Sequence, residues 1–218
     1  MFEIIPGILE KEWEKIEAKL ELVKPFAKTV HIDLLDGKFA DNATFLDPEP
    51  FKKYSDYFFF ELHMMVDNPI QYLKPFADAG FKRFLGHIEK MPDQVAFVAD
   101  GQLLGEVGLA IDGSTSLEKM SVSYEDLDCL LIMTIKAGIS GQSFISSHLE
   151  KVKQVRAKHE FLTIEVDGGI NDKTILLAKD AGVTRFVTTS FLYGDGNPQK
   201  QYKKLLDLLH SHELSADQ

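Results

Sequence analysis

The chain has 218 residues, 44% hydrophobic and 27% charged, with a formal net charge of −10. That composition suits a globular protein with a real core and argues against a nucleic-acid binder, which needs a basic face. It also requires any anionic ligand to be held by local groups, because the overall field repels it.

The first segment, MFEIIPGILEKEW, has neither a charged n-region nor a long apolar stretch, so no signal peptide is expected. No apolar run approaches the roughly 18 residues a membrane span needs. A cytoplasmic protein without membrane or nucleic-acid partners is the expectation. The single cysteine, Cys129, lies inside the apolar run CLLIM and reads as a small core residue.

In chain order, eight short apolar or β-branched runs predict strands: EIIPGI (3–8), TVHIDLL (29–35), FFFELHMMV (58–66), RFLGHIE (83–89), EVGLAID (106–112), CLLIMTI (129–135), FLTIEVDG (161–168) and RFVTTSF (185–191). A helical segment is expected after each. The first, roughly 10–27, repeats Trp13, Ile16, Leu20 and Val23 at helical spacing, so Trp13 reads as a packing residue. Asp47-Pro48, Asn68-Pro69, Asn171 and Asn197-Pro198 read as helix caps. The tail at 213–218 is expected to fray.

Strands this apolar, each followed by a helix, indicate a parallel sheet covered by helices. The open, doubly wound form favours a phosphate-binding glycine turn after the first strand, and none follows EIIPGI. The glycine-rich turns come late, in AGISG and DGGIN, as in barrels. The expected fold is therefore one α/β domain over 1–218, a single (β/α)8 TIM barrel.

Catalytic groups of such barrels sit at the C-terminal strand ends. His31 and Asp33 are two apart on the second strand and share a face. His63 ends the third strand and Asp167 the seventh. Polar groups pointing into a barrel cost several kcal/mol unless paired or ligated. Spacing alone allows either a site for one divalent metal ion (zinc, iron, manganese or cobalt) or a hydrogen-bonded cluster.

HIDLLDGKFADNATF (31–45), ELHMMVDNPIQYLKPFADAG (61–80), MTIKAGISGQSF (133–144) and VDGGIN (166–171) resemble successive motifs of the ribulose-phosphate 3-epimerases, in order and nearly end to end. The resemblance implies that His31, Asp33, His63 and Asp167 bind the metal and that Asp33 and Asp167 are the acid/base pair. It places Gly138, Gly141, Gly168, Gly169, Thr189 and Ser190 around the substrate and its phosphate. Met65 and Met133, with Gly7 and His87, are expected to line the pocket. The implied activity is isomerisation of D-ribulose 5-phosphate to D-xylulose 5-phosphate in pentose phosphate metabolism, with a small sugar phosphate as partner and a possible homo-oligomer.

The chain departs from that pattern at several places. Gly7 stands where the family usually has serine, and Thr189 where it has glycine. The sixth-strand loop reads Ala137-Gly138-Ile139-Ser140-Gly141-Gln142 instead of Pro-Gly-Phe-Gly-Gly-Gln, and Asp41-Asn42-Ala43-Thr44-Phe45-Leu46 replaces Pro-Asn-x-Thr-Phe-Gly. These changes touch substrate fit, so a 3-epimerase of another ketose phosphate, such as a ketohexose 6-phosphate, is the alternative. A non-catalytic metal- or sugar-phosphate-binding homologue is a further one. The Asp-x-Lys-x-x-Asp of related lyases and decarboxylases is absent; the matching stretch is His-Ile-Asp-Leu-Leu-Asp. Asp36 and Asp112-Gly113 read as turns, Lys136 as a solvated loop lysine, and His148, His159, His210 and His212 as surface residues.

Overall fold

The alternation of these strands divides each one between two environments, and the barrel follows from that division. On the third strand Phe60, Leu62 and Met64 join the large core under the helices, while Glu61, His63 and Met65 alternate onto the inner face. The computed structural model describes residues 2–139 and 141–216, with side chains through Ser211. Its strands are β1 (Glu3–Ile8), β2 (Thr29–Leu35), β3 (Phe59–Met65), β4 (Phe81–His87), β5 (Glu106–Ile111), β6 (Cys129–Met133), β7 (Ile164–Asp167) and β8 (Arg185–Thr188). All pair in parallel, and β8 closes on β1.

The helices are α1 (Trp13–Val23), α2 (Ile70–Asp78), α3 (Gln94–Gln102), α4 (Leu149–Arg156), α5 (Thr174–Ala181), α6 (Ser190–Tyr193) and α7 (Pro198–Ala216). α1 is shorter than the expected 10–27. Pro25 stops it at one end, and at the other the Glu10 carbonyl accepts from Phe45 N. Ile16, Leu20 and Val23 are buried, and Trp13 packs its ring on Phe45, Phe51 and Tyr54. A full helix does not follow every strand. After β2 there is a 3-10 turn, Glu49–Tyr54, and after β5 only Leu117–Lys119 and Tyr124–Asp126. Serines break the latter stretch, and Ser116 Oγ accepts locally from Glu118 N.

Strand ends differ from expectation where side chains or turns take over the backbone. β6 ends at Met133, and Thr134 Oγ1 donates to the carbonyls of Asp167 and Gly168. β8 ends at Thr188 because α6 begins at Ser190. β4 starts earlier, at Phe81, and yields after His87 to a short 3-10 turn. β7 starts only at Ile164, with Phe161 93% exposed outside it. Asn171 Oδ1 accepts from the N–H groups of Lys173 and Thr174, Asn197 Oδ1 from Lys200, and Asp47 Oδ1 from Glu49. Asn68 is no cap: it takes a left-handed φ of 53°. α7 continues to Ala216, into the stretch expected to fray, and residues 217 and 218 lie outside the described residues. No described helix is long and apolar enough to cross a membrane.

Candidate metal centre and active site

Strands β2, β3 and β7 bring four side chains together. β2 and β3 pair with Asp33 opposite His63, and Asp167 lies opposite Met133 on β6. His31, Asp33, His63 and Asp167 are all buried, and each offers a ligand atom within 4.8 Å of the others. His63 Nδ1 is 2.9 Å from Asp33 Oδ1 and 3.6 Å from Asp167 Oδ2. Thr44 fixes the end of β2, donating to the Asp33 carbonyl and accepting from Leu35 N, both at 2.9 Å.

The donor set fits a divalent cation. His31 Nε2 is buried without a hydrogen-bond partner among the described residues, 3.3 Å from Asp33 Oδ1. Two imidazoles and two carboxylates are hard-to-borderline donors suited to zinc, iron, manganese or cobalt. Outer contacts aim both imidazoles. His31 Nδ1 lies 2.5 Å from Glu61 Oε1, which leaves Nε2 for the cluster. His87 Nδ1 lies 2.8 Å from Glu89 Oε2, and His87 Nε2 lies 3.0 Å from His63 Nε2. An ionised Glu89 can only accept. A His87 that donates through Nδ1 accepts from His63 Nε2–H, and His63 would then offer its Nδ1 lone pair to a cation held beside Asp33 and Asp167.

Charge sets the two carboxylates apart. Burial opposes the ionisation of Asp33, yet the facing imidazoles of His31 and His63 hold it well below the usual carboxylate range. Burial, reinforced by the charge of Asp33, pushes Asp167 up to about 6. Burial also opposes charge on His31, but Asp33, Glu165 and Glu61 together raise it well above an ordinary histidine. Burial lowers His63, which favours its neutral form. Burial works against Glu89 too, and the His87 hydrogen bond holds it at about 2.

Above the cluster lies one cleft. Asp33, Met65, Met133, Gly138, Gly141, Asp167, Gly168, Gly169, Thr189 and Ser190 all border it. Gly168 and Gly169 take φ of 117° and 69°, conformations that L side chains rarely adopt, and a Cβ on Gly168 would strike Ile135. Asn42 Nδ2 donates to the Gly138 carbonyl at 2.9 Å, clasping the β6 loop to the β2 loop. Ser140 of that loop lies outside the described residues.

Two expected lining residues stand back from the cleft. His87 is fully buried behind His63 under the Phe39 ring, and Gly7 is covered by Thr189. Asp36 and Asp112 are turn residues accepting from Lys38 N and Ser114 N, and Lys136 is exposed. His148 is not a surface residue: its Nδ1 lies 2.9 Å from the Met133 carbonyl, and its ring fills the space over Gly113. His159 is half-buried against Tyr124, His210 is exposed, and the side chain of His212 lies outside the described residues. Cys129 is wholly buried.

Glu61, Arg83 and Glu165 do not figure in the sequence expectations. They form a buried charged layer below the metal cluster, with Arg83 Nη1 2.6 Å from Glu61 and Nε 2.7 Å from Glu106. Burial and the charge of Glu61 push Glu165 up to about 7. The available signal was parity: Glu61 and Glu165 sit two residues before His63 and Asp167, hence on the same inward face.

Residues 3–193 match the model of the ribulose-phosphate 3 epimerase family. The chain is 34% identical to a ribulose-phosphate 3-epimerase of Mycobacterium tuberculosis, over 89% of this chain and 87% of that one. It is 31% identical to the Bacillus subtilis enzyme of that name, over 94% and 98%. Among solved structures, 3-hexulose-6-phosphate synthase from Salmonella typhimurium superposes with a TM-score of 0.72 at 13% identity, over 96% of this chain and 99% of that chain, a likeness of fold alone.

Proposed function

This chain belongs to the ribulose-phosphate 3 epimerase family and is a carbohydrate-phosphate isomerase, and from that premise we propose that it interconverts D-ribulose 5-phosphate and D-xylulose 5-phosphate. The observation that carries the reading is the placement of Asp33 and Asp167 on separate strands, beside one ligand cluster and bordering one cleft.

Epimerisation at C3 removes a proton α to a carbonyl and returns it on the opposite face, through an enediolate. Two opposed acid/base groups are needed. Asp33, ionised, is suited to accept the proton; Asp167, which holds a proton more readily, is suited to deliver one to the other face, and the roles exchange in reverse. His31, Asp33, His63 and Asp167 would hold one divalent cation (zinc, iron, manganese or cobalt), which would supply Lewis-acid stabilisation of the oxygens that become negative. Met65 and Met133 border the site with apolar, non-titrating side chains that exclude water without competing for the proton. The backbone at Gly168-Gly169 and Thr189-Ser190, with Gly138 and Gly141 opposite, is suited to the phosphate.

The exchanged wall at Gly7 and Thr189 favours one second reading, 3-epimerisation of a longer ketose phosphate such as a ketohexose 6-phosphate. Incubation with ribulose 5-phosphate in deuterium oxide, with and without chelator, tests both by NMR at C3. Chelator-sensitive exchange with xylulose 5-phosphate formation supports the first. Exchange only with the hexulose phosphate supports the second, and exchange with neither overturns both.

A further inference from the structure

We infer that the Thr189 hydroxyl is a specificity-determining contact to the sugar phosphate and that Gly7 exists to make room for it. The inference rests on the ketose-phosphate reading of the cleft.

β1 and β8 form the stretch of barrel wall between β2, which carries His31 and Asp33, and β7, which carries Asp167. On β1 the residue level with His31 is Gly7. On β8 the residue level with Asp167 is Val187, and Thr189 follows two positions later. The wall joining the two acid/base strands would thus be bare backbone and valine at this height. It is not bare, because Thr189 leans across the seam. A Cβ added to Gly7 would overlap the Thr189 hydroxyl oxygen and come within 2.9 Å of Val187 Cγ1. A side chain at position 7 and the observed Thr189 rotamer exclude one another.

The Thr189 side chain is half-buried and borders the cleft with Asp33 and Asp167. Its hydroxyl makes no hydrogen bond within the described residues, whereas that of neighbouring Thr188 donates to the Ile170 carbonyl at 3.2 Å. A free hydroxyl on a cleft wall shared with carboxylates, glycines, apolar groups and Ser190 can donate to an anionic phosphate oxygen or exchange hydrogen bonds with a sugar hydroxyl. A site built to hydrogen-bond such an oxygen discriminates strongly against ligands that lack it.

The test compares metal-loaded native protein with Thr189→Val, which keeps the shape and deletes the hydroxyl, and with Thr189→Ser. Thr189→Val is expected to lower kcat/KM for ribulose 5-phosphate by about tenfold with an unchanged melting temperature, and Thr189→Ser to recover most of that loss. Inhibition by inorganic phosphate separates the two ligand oxygens: it weakens in Thr189→Val for a phosphate contact and is unchanged for a sugar contact. Gly7→Ala should reproduce the loss in the native background by displacing the hydroxyl, and add a clearly smaller loss in a Thr189→Gly background, where only the Val187 methyl must shift. Native-like kinetics for Thr189→Val, or an equal effect of Gly7→Ala in both backgrounds, overturns the inference while leaving the proposed function standing. No turnover by the native protein overturns both.

Discussion

The Nε2 atoms of His63 and His87 lie 3.0 Å apart, and His87 reaches Glu89 through its other nitrogen. His87 therefore touches no cleft surface yet decides which lone pair His63 offers to a cation. Outer partners of this kind are worth about 10–100-fold in metal affinity. Glu89→Gln should weaken zinc binding, read by competition with a chromophoric chelator, by about that factor with the fold retained by circular dichroism. Unchanged affinity would show that His63 needs no such orientation.

Asp167→Asn should lower turnover by about a thousandfold, the scale of a positioned acid/base group, and Asp33→Asn by a comparable factor. Both variants should keep a native far-UV spectrum. Residual C3 deuterium exchange without epimerisation in one variant would identify the face that each carboxylate serves. Near-normal turnover in either would contradict the two-acid scheme.

Metal affinity should rise with pH. Burial and Asp33 push Asp167 up to about 6, and the surrounding carboxylates raise His31 well above an ordinary histidine. Below those values protons occupy positions the cation needs; as pH rises through them the protons leave and the cation binds without displacing them. Apparent affinity should therefore gain at least about tenfold between pH 5 and 7, with proton release visible as a buffer-dependent heat in calorimetry. A flat profile would mean that neither proton is held.

Glu61 is the hinge between the metal cluster and the charged layer beneath it, 2.5 Å from His31 Nδ1 and 2.6 Å from Arg83 Nη1. Glu61→Gln removes the charge that both groups face. Breaking a buried pair this way costs about 3–5 kcal/mol, which chemical denaturation should read, together with weaker metal binding. A change in metal affinity without a change in stability would assign Glu61 to orientation alone.

Phe51 offers the contrast. It is fully buried and packs edge-on against Trp13, Phe60 and Phe81, outside the barrel wall. Phe51→Ala should cost about 3–5 kcal/mol of stability and leave kcat per folded molecule near native. A selective loss of kcat would mean that the outer core communicates with the cleft.

Alternating apolar strands and late glycine turns were enough to read the barrel from the sequence, because period-two burial is written into residue order. His31, Asp33, His63 and Asp167 were legible through parity and motif. Glu61, Arg83 and Glu165 were not, although the same parity applied. A charged residue inside a strand has no local signature of its partner, and Arg83 meets Glu61 only across the β3–β4 register shift. His148 failed for a related reason: it begins a helix, where a histidine is usually solvated, and only the fold lays it over Gly113.

What the sequence determined by itself was the order of strands, the inward face of each, and the four side chains brought to one end of the barrel. These depend on residue spacing, which is a local property. The tertiary structure alone decided how His31 and His63 are aimed, by setting Glu61 and the Glu89–His87 pair behind them. It also decided that Gly7 lies under Thr189, since closure of β8 onto β1 brings together two residues 182 positions apart. Tautomer, carboxyl charge and steric exclusion each depend on distances across the ring, and barrel closure fixes those distances.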